Sequence, residues 1–396
     1  MSTFSNEFPH SSFKTNPTIL QVIPALGSGG VEIETIEMAK AIVLAGGRSL
    51  IAANMEGRED MLSGIPSQIE FINLPLDTKN PFRMAKNTKL LKKLIHQENV
   101  SLLHTRSRAP AWSAYKATHA VGIPFITTYH AAYSSKTVFK TFYNSVMARG
   151  DRVIAISSFI RDHILKQYQT YSWFDPSKVR LIQRGIDLHY FDPLTISQAR
   201  LDHLKESWGI PPHMRLILLP GRLSRSKGHS VLIQALSLME QTNVMAIFVG
   251  SALKHENYRD QLLQEASALD LEGRVRWFPP CPDLPAAYLL ADAIVCPSLV
   301  PEGFGRILAE AQAMKKPIIA SDYGASSEVI DSRVTGWLVP PGDPGALADA
   351  LNSVLQLPQE RLEVMGERGR ERVKSSFSKE QMSSKTIDVY KELLGE

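Results

Sequence analysis

The chain has 396 residues, 44% of them hydrophobic and 21% charged, a balance that excludes wholesale disorder and suits two ordinary domains. Two cysteines, Cys281 and Cys296, are too few for a disulfide framework or a cysteine-rich zinc site, so a reducing compartment is expected. The net charge of +4 divides unevenly: residues 1–190 carry 22 Lys and Arg against 14 Asp and Glu, and the remainder carries 22 against 26. A basic front half suits nucleic acid, phosphorylated ligands or an anionic membrane, and charge alone does not choose among them.

Residues 1–17 are polar, lack the apolar core of a signal peptide, and are expected to form a flexible cytoplasmic extension. From there, short β-branched runs alternate with amphipathic stretches. Strands are predicted at Thr18–Ile23, Ser49–Ala53, Ile69–Leu74, Val100–His104, Phe125–Tyr129, Val153–Ile156 and Val179–Gln183. Helical periodicity fills Ile33–Leu44, Arg83–Gln97 and Ala109–Ala120. At His189–Pro212 the dipeptides Asp192-Pro193 and Pro211-Pro212 flank a short helical piece, and 191–212 reads as a linker. Strands resume at Leu216–Leu219, Val244–Val249, Val275–Phe278, Ala293–Cys296, Pro317–Ala320 and Gly336–Val339. The expectation is an α/β protein with two Rossmann-like domains, 18–190 and 213–378, each built of βαβ units around a mostly parallel sheet. A last helix, Lys379–Leu394, is placed to cross back onto the first domain. No run approaches the roughly 18 apolar residues of a spanning helix, since Tyr288–Val300 is interrupted by Asp292 and Pro297. Open α/β sheets bind ligands at the carboxyl ends of their strands, so two facing sheets would hold a site in the cleft between them.

Three strand-to-helix turns carry candidate chemistry. The first is Gly27-Ser-Gly29-Gly30-Val-Glu32, where glycine lets the backbone approach a ligand and the helix N-terminus favours an anion. Glu32 occupies the third glycine position of a dinucleotide fingerprint, which disfavours hydride transfer; a turn that merely packs the helix is the alternative. The second, Gly221-Arg222-Leu223-Ser224-Arg225-Ser226-Lys227-Gly228, lacks the Ser/Thr of a P-loop. It still presents two cations suited to phosphate, Arg222 and Lys227, unless it is only a solvated basic loop. The third is the sharpest: Glu302-Gly303-Phe304-Gly305-Arg306, with Glu310 inside the Arg306–Lys315 helix. Its glycines can offer amides to a phosphate, Glu302 can accept from sugar hydroxyls and Glu310 from a ribose. The alternative is a glutamate that complements the helix dipole plus a solvated one.

Together these motifs resemble the family 4 glycosyltransferases of the GT-B fold, retaining enzymes that use nucleotide-diphosphate sugars. Gly29-Gly30, His130 after the fifth strand, Gly221-Arg222-Leu223 with Lys227-Gly228, and Glu302-x7-Glu310 carry the resemblance. Ser321-Asp322-Tyr323-Gly324 with Glu328, then Gly336-Trp337-Leu338-Val339, continue it. It implies two domains facing across a central cleft, the first on the acceptor side and the second holding the donor. By the same resemblance Arg222 and Lys227 hold the diphosphate, Glu302 the donor sugar and Glu310 the ribose. The turn Gly303, Phe304 and Gly305 lines the donor, His130 lies near the transferred sugar, and Gly29 and Gly30 near the diphosphate. Two positions depart from the pattern: Arg184-Gly185-Ile186-Asp187 has arginine for the frequent asparagine, and Arg306 replaces an aliphatic residue. With Ala311-Gln312-Ala313-Met314, Arg306 is similar to bacterial transferases that build lipopolysaccharide cores.

The leaving diphosphate would be stabilised by Arg222, Lys227 and the Gly303–Gly305 amides. No Asp-x-Asp motif occurs, so neither a metal nor a further cofactor is expected. Glu302 and Glu310 lie too far apart along the chain to form the roughly 5 Å carboxyl pair of a retaining glycosidase. The resemblance implies front-face substitution instead. His130 has the chemistry of a general base and equally that of a buried structural histidine. The donor's base is expected on the Val275–Leu284 turn. A nucleotide-sugar epimerase of the same fold and a catalytically silent nucleotide-sugar-binding subunit are the rival readings. A nucleic-acid binder is disfavoured because no such module is visible.

The acceptor side carries one further signal. In Pro81–Ile95, Arg83, Lys86, Lys89, Lys92 and Lys93 give a basic stripe, while Met84, Leu91, Leu94 and Ile95 favour another face. Either these lysines simply face water, or they rest on anionic lipid, with Lys136 and Lys140 widening the face. The latter makes a peripheral enzyme on the cytoplasmic face of an inner membrane, with a lipid-linked glycan as acceptor.

Overall fold

A computed structural model describes residues 12–396 apart from 28, 58–61, 63, 134–136 and 253–255. Lys136 therefore lies outside the described residues. The chain divides into two compact units, Met1–Gly185 with Lys379–Glu396, and Ile186–Ser378.

The first unit is a seven-stranded parallel sheet in the order β3-β2-β1-β4-β5-β6-β7. The strands are β1 (Thr18–Ala25), β2 (Arg48–Asn54), β3 (Ile69–Asn73), β4 (Val100–Thr105), β5 (Phe125–Tyr129), β6 (Arg152–Ala155) and β7 (Val179–Leu181). β1 is buried over most of its length and β5 over all of it because helices cover both faces of a parallel sheet. The crossovers are α1 (Gly30–Leu44), α2 (Pro81–Gln97), α3 (Arg108–Val121), α4 (Val138–Ser145) and α5 (Ser158–Tyr168). α2 starts where it does because Pro81 is suited to the first helical turn and the Asn80 side chain accepts from the amides of Phe82 and Arg83. Its buried face is Asn87, Leu91, Leu94 and Ile95, which leaves Arg83, Lys86, Lys89 and Lys93 exposed and Lys92 half-exposed.

The second unit is a six-stranded parallel sheet, with β8 (Arg215–Pro220), β9 (Val244–Val249), β10 (Val275–Phe278), β11 (Ala293–Cys296), β12 (Ile318–Ser321) and β13 (Trp337–Val339) in the order β10-β9-β8-β11-β12-β13. In chain order its helices are α6 (Gln198–Ser207), α7 (His229–Ser237), α8 (Glu256–Ala268), α9 (Leu284–Leu290), α10 (Arg306–Ala313), α11 (Ser326–Val329), α12 (Pro344–Leu355) and α13 (Gln359–Ser376). The final helix, α14 (Lys379–Leu394), belongs to the first unit and packs on α1 and β4. No helix among the described residues is long and apolar enough to cross a membrane.

Two expected boundaries are corrected. Residues 191–212 are not a linker but part of the second unit: Arg200 on α6 grips Asp283 through two hydrogen bonds, 2.8 and 2.6 Å, and Arg370 donates to the Phe191 carbonyl. Prolines mark turns in this stretch, yet the charged helix between them finds an ion-pair partner far along the chain. Likewise residues 12–17 are anchored rather than loose. Phe13 is buried beside Ile42, and the Lys14 and Thr15 amides donate to the Glu396 carboxylate.

α14 also delivers a polar group to the core. The buried Tyr390 hydroxyl lies 2.7 Å from His104 Nδ1, and His104 Nε2 lies 2.7 Å from Thr128 Oγ1. Burial, first of all, holds the His104 pKa well below the ordinary imidazole value, so the ring is neutral and needs one donor and one acceptor. Tyr390→Phe keeps the packing and strands Nδ1, so unfolding in urea should show a loss of about 1–3 kcal/mol. Unchanged stability would mean that the hydroxyl and the imidazole are not bonded.

Candidate functional site

In each sheet the strand order reverses beside the first strand laid down: between β1 and β4 in one unit, and between β8 and β11 in the other. Helices leave in opposite directions there, opening a crevice at the strands' carboxyl ends. The candidate residues fall at these two crevices.

At the β8/β11 crevice, Gly221 (φ +140°) turns the chain out of β8, Arg222 is exposed, and a short 3-10 turn carries Lys227. Gly228, at φ +71°, then opens α7 so close to the loop after β11 that a Cβ would sit 1.9 Å from the Pro297 carbonyl oxygen. This contact brings Lys227 to Glu302: Nζ lies 2.6 Å from Oε1, which also accepts from Ser298 Oγ at 2.5 Å. Burial works against the Lys227 charge, but the hydrogen-bonded Glu302 carboxylate outweighs it and raises its pKa. Burial pushes the Cys296 thiol up to about 12, so it stays protonated. Glu302 is fixed through its backbone as well. It bridges to Gly324, which is at φ +76°, and accepts from the Ala325 amide at 2.9 Å.

Gly305 (φ +83°) starts α10 and leaves the Gly303–Gly305 backbone at a helix N-terminus. Phe304 belongs to this turn through its backbone. Its side chain is buried against Phe377, with ring centroids 5.5 Å apart, so only its backbone can face a ligand. Inside α10, Glu310 is buried and held on both oxygens, with Arg306 Nε 3.0 Å from Oε1 and the Tyr288 hydroxyl 2.8 Å from Oε2. Sequence reading missed Tyr288, since one tyrosine in an apolar helix looks like core. The segment expected to meet the donor's base runs between β10 and α9, with Asp283 capping α9.

At the β1/β4 crevice, Gly29 caps α1 in extended conformation and Gly30 begins it. One turn later Glu34 is buried and paired with two guanidiniums: Arg106, just past β4, at 2.6 Å and Arg184, past β7, at 2.8 Å. Arg184 also donates to the Gly30 carbonyl, so the residue that replaces the frequent asparagine clamps the glycine turn. His130, just past β5, lies with Nδ1 3.9 Å from Glu34 Oε2. Its pKa is lowered to about 3, chiefly by burial, with Arg184 and Arg106 adding to the effect and Glu34 opposing it. At neutral pH the ring is uncharged. Glu34 and Arg106 were also missed from sequence; the available signal was a carboxylate on the buried face of α1 and an arginine directly after an apolar strand.

Comparison with known proteins gives a consistent result. Residues 28–190 match the family described as Glycosyltransferase Family 4, and residues 200–372 match Glycosyl transferases group 1. A crystal structure of a glycosyltransferase from Rickettsia africae is 36% identical, with 96% of this chain and 99% of that one covered and a TM-score of 0.87. The Anabaena protein Alr3699/HepE, solved in complex with UDP and glucose, is 20% identical over 95% of this chain and 100% of its own, with a TM-score of 0.82, and attests the fold alone. Among curated sequences, a D-inositol 3-phosphate glycosyltransferase of Salinispora tropica is 31% identical over 63% of this chain. The match spans about half the length of that relative, 53%.

The buried histidine next to the Arg222–Lys227 turn gives a pH test. His229 is fully buried between Phe248 and Tyr258, and burial foremost lowers its pKa from 6.5 to about 4. The unfolded chain binds this proton below pH 6.5 and the folded chain only below about 4. Stability should therefore decline as pH falls through that window, by on the order of 3 kcal/mol from this group. His130 acts in the same direction. His229→Leu should flatten the urea-unfolding profile between pH 6.5 and 4; an unaltered slope would show that the ring is not held neutral.

Proposed function

The chain belongs to the family 4 glycosyltransferases of the GT-B fold, and from that membership and the geometry of its crevices we propose that it transfers a sugar from a nucleotide-diphosphate sugar to an acceptor hydroxyl with retention of configuration and without a metal ion. The observation that carries this reading is the pair of carboxylates at the β8/β11 crevice, one locked to a lysine and a serine, the other to a tyrosine and an arginine.

Breaking a glycosyl–phosphate bond leaves a cation-like sugar and a diphosphate that gains negative charge. Arg222, Lys227 and the amides at the start of α10 supply fixed positive potential where that charge grows, without reorganisation cost. Glu302, anchored by its backbone, accepts hydrogen bonds from hydroxyls of the donor sugar. Glu310, whose two oxygens keep further lone pairs, accepts from the ribose diol. Two carboxylates so held do not form a nucleophile pair, and the acceptor hydroxyl attacks from the side of the departing phosphate, whose oxygen takes the proton. A histidine with a pKa near 3 is a weak base at neutral pH. His130 acts instead as an uncharged hydrogen-bonding partner of the transferred sugar, steadied by the Glu34, Arg106 and Arg184 cluster. The acceptor is a lipid-linked envelope glycan such as a lipopolysaccharide core, met at the cytoplasmic face of the membrane, with the exposed basic stripe of α2 turned toward anionic lipid.

Two sets of variants test the donor assignment. Arg222→Ala and Lys227→Ala should each weaken nucleoside-diphosphate binding by about 10- to 150-fold, the equivalent of ~1.5–3 kcal/mol, with folding intact. Calorimetric titration reads this directly, and unchanged affinity in both would remove the phosphate site. The glutamates should separate: Glu302→Gln should lower transfer and donor hydrolysis more than binding of the bare nucleotide, and Glu310→Gln should do the opposite. A reversed pattern would invert the donor's orientation. A panel of nucleotide-diphosphate sugars, screened by thermal shift and slow hydrolysis with and without chelator, identifies the donor; a strict metal requirement would contradict the mechanism.

A further inference from the structure

Helix α4 is short, and its apolar residues are not in the core. Val138 and Phe139 are 85% and 88% exposed and Phe142 is 61% exposed, while Phe82, at the start of α2, is 87% exposed. Leaving these side chains in water forfeits the stabilisation that burial would give, and clustered exposed apolar residues mark an interaction surface. The helix is well formed: Thr137 caps it by accepting from the Lys140 amide, and Phe142 stacks on Trp112 at 5.0 Å.

Grooves run along both sides of α4. One, of about 550 Å³, lies between α4 and the start of α3 and is lined by Lys79, Arg108, Phe139, Lys140 and Tyr143, among others. A second, of about 320 Å³, is lined by Pro81, Met84, Trp112, Lys116 and Phe142. A third, of about 400 Å³, lies on the far side against Arg149, Tyr171 and Trp173. Five cations line these grooves, Lys79, Arg108, Lys116, Lys140 and Arg149, and no carboxylate is found among their described lining residues. Aromatic groups hold the guanidiniums in place: Arg108 lies 4.1 Å over Tyr133 and Arg149 lies 4.0 Å over Trp173. Apolar side chains exposed on α4, with cations lining the grooves beside them, suit a phospholipid monolayer, whose acyl region lies next to its phosphates.

We propose that the apolar crest of α4, with Phe82, inserts into an anionic phospholipid bilayer while Lys79, Arg108 and Lys140 hold the lipid phosphates. This rests on the membrane part of the function proposed above and not on the donor assignment. It moves the main contact from the α2 stripe to α4. It also sets where the acceptor emerges. Ser107, in the largest groove, directly follows Arg106 of the Glu34 cluster. Val138 follows His130 by eight residues, a link of no more than about 28 Å fully extended. A glycan anchored in the bilayer at this crest thus starts within about 28 Å of the His130 crevice.

The test uses the full chain and flotation with vesicles of phosphatidylcholine alone or mixed with phosphatidylglycerol. Wild type should float with the anionic vesicles and retain part of its binding at high salt, because insertion is not screened. Combined Phe82→Ser, Val138→Ser and Phe139→Ser should lower partitioning by roughly tenfold or more, since each buried apolar side chain contributes strongly. Lys79→Gln with Lys140→Gln should remove the salt-sensitive part. Thermal stabilisation by UDP, and slow hydrolysis of a donor sugar without vesicles, check folding and the donor site separately. Full binding by the serine variant, with loss on substituting the α2 lysines, would overturn the proposal in favour of surface adsorption. Absence of vesicle binding at low salt would also overturn it. So would a concentration-dependent dimer that the serine variant dissociates, because a second copy would then cover the crest.

Discussion

The reversal of strand order in each sheet is the constraint on which the rest of the structure depends. A parallel sheet wound outward from one strand must send successive crossovers to opposite faces at that strand, and the crevice between them cannot be filled by either helix. In the second unit the crevice lies between β8 and β11, and the two loops that border it are stitched by the Leu299 amide on the Ser226 carbonyl, 2.8 Å, as well as by Lys227 and Glu302. Gly228 permits that approach, for any side chain there would meet the Pro297 carbonyl. The cationic turn and the acidic turn are thus held together by backbone before any ligand arrives.

Charge at the first unit's crevice follows a different logic. A buried carboxylate is tolerated only when paired, and Glu34 has two guanidinium partners. Burial keeps the His130 ring neutral, the Glu34 carboxylate opposes it, and the two guanidiniums act with burial. The Arg184 clamp on the Gly30 carbonyl links this cluster to the glycine turn, so the turn's conformation and the histidine's environment are parts of one assembly.

Much of this was legible in the chain. Strands near all thirteen observed positions follow from β-branched runs, because a doubly covered parallel sheet needs continuous apolar segments. Errors at element ends have local causes. β1 runs on through Pro24 with a shift in register, and α10 ends at Ala313 with Lys315 left-handed at φ +57°. Lys227 and Glu302 stand out in the sequence because glycine punctuation marks their turns, and Glu310 by its spacing from Glu302. Tyr288, Glu34 and Arg106 do not, because their importance comes from partners 22 to 150 residues distant. That the Phe304 ring packs on Phe377 from α13's end, leaving its backbone to the turn, is likewise a property of the fold. In the sequence α4 is marked only by Lys140, as a residue that would widen the basic face; that its apolar side faces outward is a property of the fold.

The central claim is that the β8/β11 crevice holds the nucleotide-diphosphate sugar. A crystal structure of the protein soaked with UDP and a UDP-sugar tests it most directly. The account predicts a diphosphate at the start of α10 within hydrogen-bonding reach of Arg222 and Lys227, and a ribose on Glu310. A nucleotide bound with its ribose away from Glu310 and its phosphates away from Lys227, or held instead at the β1/β4 crevice, would contradict it.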